Sequence, residues 1–277
     1  MKKIYLVKQF AKEKTWGRLK ENNKRIGEII KFEVNDTQSN NIVIDGKLTS
    51  LYEIFNSNLC REFYGDKYVD KKVFPFMIKF IDSSKKLSLQ VHPKEKTETW
   101  LFLKNNAQVL IGLKEKIDIS KISTEEILKK SLILDVDKYN FLEVAPGTIH
   151  SIFEDNLICE VQDNYDQTYR YYDWHGRNLS KKKFIETAIF DKIDLKKILR
   201  TKLSFYSSKN FSMKFLKINN STNIKTYKDC KVVLVLDGHC IIEEENEKQL
   251  LETYSTVLII PNSNVKIIGN CDLLVVY

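Results

Sequence analysis

Leu87-Ser-Leu-Gln-Val-His-Pro-Lys-Glu-Lys-Thr-Glu98 decides how this chain is read. Gln90 and His92 lie two apart in an apolar run, the spacing that turns both side chains to one face of a strand. Glu98 stands just before a second apolar run that opens at Trp100, and a later strand-like stretch, 139–144, leads into Pro146-Gly-Thr-Ile-His150. Two imidazoles, a carboxylate and an amide oxygen are enough to surround one divalent metal and leave positions open for water or substrate. The expectation is a metal-dependent enzyme built on β-strands.

Composition sets the frame. At 277 residues the chain has material for one large or two small domains. An apolar content of 43% fits a soluble globular protein, and no apolar run approaches the ~20 residues of a membrane span. The opening Met1-Lys-Lys-Ile-Tyr-Leu-Val is too interrupted by lysine for a signal peptide, so a cytoplasmic location is expected. Cys60, Cys159, Cys230, Cys240 and Cys271 are odd in number and never form a CxxC pair, which argues against a disulfide framework and a thiolate zinc site. The net charge of +8 comes from lysines that mostly alternate with acids; only Lys181-Lys182-Lys183 forms a run. That pattern is a solvated surface, without the focused patch that nucleic acid requires, and its mild positive bias suits an anionic small substrate.

Most of the chain shows short strands rich in β-branched and aromatic residues: 29–34, 42–44, 73–80, 87–91, 99–103, 109–113, 141–144 and 157–161. Three helices interrupt them. Ser50 with Glu53 and Ser123 with Glu126 have capping-box spacing, opening helices over 51–56 and 124–133, and Ser180 is expected to cap a helix over 181–190. After residue 200 only strands follow, at 211–218, 231–236, 239–243, 256–260, 265–268 and 273–277, with Asp237-Gly238 as a hairpin-type turn. Many short strands at even spacing favour a barrel or sandwich over a parallel sheet. His239 is the only imidazole of this last segment and has no companion at ligand spacing.

Four motifs in order, 87–93, Lys96-Thr-Glu98 before Trp100, Pro146-Gly-Thr-Ile-His150 and Asp166-Gln-Thr-Tyr-Arg170, resemble the short bacterial form of the type I mannose-6-phosphate isomerases. Trp16-Gly17, Gly27-Glu28, Phe74-Pro-Phe-Met-Ile-Lys79 and Ile259-Ile-Pro261 extend the resemblance over nearly the whole chain. It implies a mainly β fold of two cupin-type jelly-roll barrels: a metal-binding domain over 1–198, with a helical insertion at about 114–135 and a closing helix at about 181–195, then a metal-free cupin-like domain over 199–277. It also implies zinc-dependent interconversion of mannose 6-phosphate and fructose 6-phosphate through an enediol, with one Zn2+ per chain on Gln90, His92, Glu98 and His150. The family's catalytic and substrate-binding positions fall on Glu160, Asp166, Arg170 and Lys96, with Trp16 as pocket wall.

Residue chemistry agrees with these roles. Glu160 lies on a strand where desolvation suits a general base, and Asp166 competes for that role. The planar fork of Arg170 matches phosphate or an enediolate oxygen pair, and Lys96 would donate to a sugar oxygen or hold the phosphate. His175 is read as a structural or rim residue. Between Pro93 and Lys96 only Lys94-Glu95 remain where the family carries a longer loop, and Asn164-Tyr165 and Arg18 also depart from its pattern. Those changes leave open a different sugar phosphate as substrate, or a non-catalytic sugar-phosphate-binding cupin. Two histidines and one carboxylate also describe a non-haem iron(II) site, but Lys96, Arg170 and the Asp166–Arg170 motif argue for a phosphorylated sugar instead. A phosphorylated hexose is the expected partner, with no nucleic acid and no membrane; monomer and dimer remain equal expectations.

Overall fold

The computed structural model describes residues 2–20, 22–245 and 247–277, with Lys121 described in its backbone alone. It is mostly β, with five short α-helices among the described residues. The chain divides into two compact units, one of Ala11–Ile29 and Ile78–Lys202, the other of Met1–Phe10, Ile30–Met77 and Leu203–Tyr277. The expected division at 198/199 lies near the last change of unit, but residues 1–10 and 30–77 group with the C-terminal segment.

In the first of these units a five-stranded sheet runs in the order Ser131–Val136, Ala107–Leu113, His150–Ile152, Leu89–Val91, Tyr169–Tyr172. A second sheet is ordered Leu199–Arg200, Phe141–Val144, Glu98–Phe102, Leu157–Asp163, Phe76–Asp82, Arg25–Phe32, Phe10–Leu19; residues 78–82, 25–29 and 11–19 of its last three strands belong to this unit. Strand alternation explains how the sheets pack. Val109, Ile111 and Ile152 of one sheet meet Trp100, Phe102, Leu142 and Ile158 of the other in a single buried core. The intervening Leu110, Leu89 and Val91 point the other way, against Ile127 and Phe184 of the helices Thr124–Lys130 and Lys181–Thr187. Gln90, between Leu89 and Val91, therefore faces inward.

The other unit is built on two long strands, Lys231–Glu244 and Asn264–Val276, paired from Val232↔Val276 to Glu243↔Lys266. Inward residues such as Val233, Val235, Ile242, Val265, Ile267 and Leu273 form its core. A separate aromatic cluster stacks Tyr68 on Phe74 at 4.9 Å and sets Phe32, Phe55 and Tyr64 around Phe74.

Several local expectations are corrected. Asp237-Gly238 is no hairpin turn: it sits inside strand Lys231–Glu244, where the register shifts between Val235 and Asp237. Gly238 has φ +76°, and a Cβ there would lie 2.2 Å from Asn270 O, so the residue pair makes a glycine bulge in a continuous strand. The strands expected at 265–268 and 273–277 are likewise one. Ser50 and Ser123 cap their helices as expected. Ser180 makes no cap bond; its Oγ accepts the Arg170 N–H at 2.8 Å instead. The second helix stops at Lys130 because Ser131–Val136 leaves to pair with Ala107–Leu113, and the third stops at Thr187.

Candidate metal centre

His150, Gln90 and Arg170 lie side by side on three adjacent strands: His150 is the Cα partner of Gln90, and Gln90 that of Arg170. His92 closes the same strand run as Gln90. Glu98 begins the facing strand Glu98–Phe102. The ligand atoms of His92, Glu98 and His150 all fall within 4.8 Å of one another, the one such buried cluster among the described residues. Backbone carbonyls fix both imidazoles: His92 Nδ1–H donates to Gln167 O at 2.8 Å and His150 Nδ1–H to Thr148 O at 2.8 Å. Each Nε2 is thereby left as a lone pair turned into the site. Gly147 makes this turn possible. It has φ +76°, a Cβ on it would meet Thr187 O at 2.8 Å, and its N–H bonds His92 O at 2.9 Å.

The donor set fits a cation. His92 Nε2 lies 3.0 Å from Glu98 Oε1 but makes no directed hydrogen bond, so two electron-rich atoms face each other in a buried space. Burial, opposed by Glu98, pushes the His92 imidazole down, and burial with the neighbouring His92 takes His150 to about 3, so both rings are neutral. Burial alone would raise Glu98, but the Lys96 ammonium, 2.9 Å away, holds it well below the usual carboxylate range. Two neutral nitrogens and one anion suit a divalent metal of borderline softness. Gln90 turns its amide Nε2 to His150 Nε2 at 3.1 Å while Oε1 accepts from Ser88 Oγ. Exchanging the two ends of that amide would present oxygen at the same point.

Beside this cluster the inner face of the second sheet changes from aliphatic to charged. Four consecutive strands contribute one residue each: Lys14, Glu28, Lys79, Glu160. Lys14 Nζ is 3.1 Å from Glu28, Lys79 Nζ 3.4 Å from Glu28 and 2.9 Å from Glu160 Oε1. The next strand adds Trp100, whose indole N–H donates to Glu160 Oε2 at 2.9 Å. Burial, and then the charge of Glu98, push the Glu160 carboxyl up to about 7 against the pull of Lys79 and Lys96. A carboxylate so poised is equipped to take and return a proton near neutrality.

Residues 6–110 match the family model described as phosphomannose isomerase type I, catalytic domain. Over that stretch the chain is similar to the type I phosphomannose isomerases. Among curated proteins it is 27% identical over 209 residues to the probable mannose-6-phosphate isomerase GmuF of Bacillus subtilis (strain 168), covering 62% of this chain and 64% of that one. With mannose-6-phosphate isomerase ManA of the same organism it shares 27% over 214 residues, 64% of this chain and 66% of the other. The match thus spans just under two thirds of these relatives. In fold it superposes on the crystal structure of mannose 6-phosphate isomerase from Bacillus subtilis with a TM-score of 0.85 at 20% identity, covering 100% of both chains. A zinc-bound mannose 6-phosphate isomerase structure gives 0.84 at 13% identity, over 100% of this chain and 99% of that one. These likenesses establish the shared fold of the phosphomannose isomerases.

Most of the residues singled out in the sequence come together on the phosphomannose isomerase fold. Lys96, Glu98, Glu160 and Trp16 are buried at one cavity with Gln90 and Arg170. Asp166 is exposed on its rim, and Arg170, half-buried, keeps Nε without a partner. Glu160 is engaged by Lys79 and Trp100, with no ion pair to Arg170. His175 Nε2–H donates to Lys86 O at 2.7 Å, and the residue is not among those that line the cavity. Sequence reasoning assigned no role to Lys79, Glu28 or Lys14. Glu28 and Lys79 did stand in motifs of the resemblance, and Lys79 is also a charged residue within the largely apolar strand Phe76–Asp82; Lys14, in Phe10–Leu19, gave neither signal. Among the described residues no helix is long and apolar enough to cross a membrane.

Proposed function

We propose that this chain is a zinc-dependent aldose–ketose isomerase that interconverts mannose 6-phosphate and fructose 6-phosphate through an enediol. The observation that carries the reading is the placement of Glu160, with its carboxyl near 7, in the cavity lined also by His92 and Glu98 of the His92–Glu98–His150 cluster. His92, Glu98 and His150 would hold the metal, with Gln90 as fourth ligand through its amide oxygen. When bound there, zinc supplies electrophilic stabilisation of the charge that develops on the sugar oxygens without redox side chemistry.

The chain's own groups do the rest. Glu160 takes the proton from C2 of the open aldose as the C1 oxygen gains one, giving the enediol. It then returns the proton to C1 as the C2 oxygen loses its own, giving the ketose. Lys79 and the Trp100 N–H stabilise the Glu160 carboxylate before the first transfer and after the second. Lys96 donates to a sugar oxygen, and Arg170, with an unengaged Nε, anchors the phosphate or the enediolate edge. Asp166 on the rim orients the sugar hydroxyls, and Trp16, buried with an unpartnered Nε1–H, is a wall that also offers a donor. We read the 199–277 segment as the metal-free cupin-like part, and the protein as a cytoplasmic one.

One observation favours a second substrate. The Pro93–Lys96 segment closes as a tight turn, Lys96 N–H donating to Pro93 O at 3.0 Å, and this short connection supports a reading in which a different, larger sugar phosphate is the substrate. The deciding experiment follows mannose 6-phosphate turnover before and after chelation, with zinc or iron(II) restored and metal content measured. Activity lost to the chelator and restored by zinc supports the proposal. A folded, zinc-replete protein without turnover points to the other sugar phosphate or to a binding role, and restoration by iron alone, with oxygen consumption, to an oxygenase.

A further inference from the structure

Glu28 takes no part in the reaction outlined above, yet it stands between the two lysines that lead to the reacting carboxylate. The row becomes more enclosed along its length: side-chain exposure is 34% at Lys14, 13% at Glu28, 12% at Lys79 and 2% at Glu160. We propose that Glu28 is a positioning residue for the isomerisation, holding the Lys79 ammonium between two carboxylates so that Glu160 shares this cation instead of monopolising it. The inference rests on the reading of Glu160 as the base.

The geometry gives the reason. Lys79 Nζ lies 2.9 Å from Glu160 and 3.4 Å from Glu28, and Lys14, 3.1 Å from Glu28 on the open side, keeps Glu28 itself charged. Burial would raise Glu28, but Lys79 and Lys14 hold it at about 2, so its charge persists at every working pH. A buried ammonium with Glu160 as its one close counterion would pin that carboxylate as an anion and spoil it as a proton acceptor. The other charges that face Glu160 are Glu98 and Lys96; those facing Glu28 also include Lys12.

The test compares the zinc-loaded wild type with Glu28→Gln, Glu28→Asp and Lys79→Met. For each, kcat and KM are followed against pH with mannose 6-phosphate, and the Glu160 carboxyl is titrated by 13C NMR, which needs no turnover. In Glu28→Gln the acid limb of kcat/KM and the Glu160 titration move down by about one pH unit. Plateau kcat falls about tenfold with KM nearly unchanged, as loss of base strength requires. Glu28→Asp recovers part of the shift, and Lys79→Met moves both curves the opposite way. An unmoved or raised Glu160 titration in folded, zinc-replete Glu28→Gln overturns the proposal, even if stability drops. A wild type that turns nothing over refutes the isomerase reading, while the NMR titration still decides whether Glu28 governs Lys79 and Glu160.

Discussion

Trp100 and Glu160 are Cα partners on neighbouring antiparallel strands, and the indole N–H of the first donates to the carboxylate of the second at 2.9 Å. This bond favours the charged form of a carboxyl that burial otherwise raises. Trp100→Phe removes the donor and keeps most of the ring. A hydrogen bond to a charged group contributes about 1.5–3 kcal/mol, so the acid limb of kcat/KM is expected to rise by about one pH unit or more. A pH–rate profile of the variant checks this; an unmoved limb would mean that Glu160 is not the group titrating.

His92→Ala and His150→Ala each remove a nitrogen whose tautomer a backbone carbonyl has fixed. Loss of a supporting partner alone weakens metal affinity about 10–100-fold, and loss of a ligand is expected to exceed that. Zinc measured on the purified variants after dialysis reads the effect directly, and circular dichroism separates it from misfolding.

Arg170→Ala leaves the ligand cluster intact and removes a charged fork with a free Nε. The expected loss in kcat/KM for a phosphorylated sugar is about 10–100-fold, with zinc content unchanged. A smaller loss, equal for phosphorylated and unphosphorylated sugar, would assign the anchoring elsewhere.

Stability of the metal-free protein carries the signature of Glu160. Its folded carboxyl titrates at about 7 against an ordinary 4.5, so the folded state holds the extra proton between these values. Its contribution favours the fold fully below about 4.5 and is lost as pH rises through about 7. Glu28, at about 2, acts in the opposite sense: its contribution is present above 4.5 and lost as pH falls through about 2. Urea midpoints at pH 5 and pH 8 should therefore differ less for chelated Glu160→Gln than for chelated wild type; an equal difference would refute the assignment.

Gly238→Val tests the bulge in the other unit. The residue has φ +76° and no room for a Cβ beside Asn270 O, so destabilisation of about 1–3 kcal/mol is expected without loss of zinc. An unchanged thermal midpoint would show that the strand can straighten there.

How much of this was legible in the sequence depended on distance along the chain. Gln90, His92 and Glu98 fall within one short stretch, and strand alternation alone puts the first two on one face. Pro146-Gly147 marked the turn that delivers His150. The charged row was not legible, because its members come one from each strand and meet only through long-range pairing. Strand Phe10–Leu19, with Lys12, Glu13, Lys14 and Arg18 at four of its ten positions, gives no apolar period at all. Asp237-Gly238 has the composition of a turn, and only the partner strand, paired on both sides of it, makes it a bulge.

The alternation of sign along Lys14, Glu28, Lys79 and Glu160 constrains how this protein can change. Neutralising Glu28 alone leaves two ammoniums as neighbours, and neutralising Lys79 alone leaves two carboxylates, so each single replacement is worse than the sum of its lost contacts. Removing a cation and its adjacent anion together restores balance. Stability should therefore tolerate change here in adjacent pairs: replacing Lys14 and Glu28 together is expected to cost the fold less than replacing Glu28 alone, while Glu160, left as the one close counterion of Lys79, still loses strength as a base.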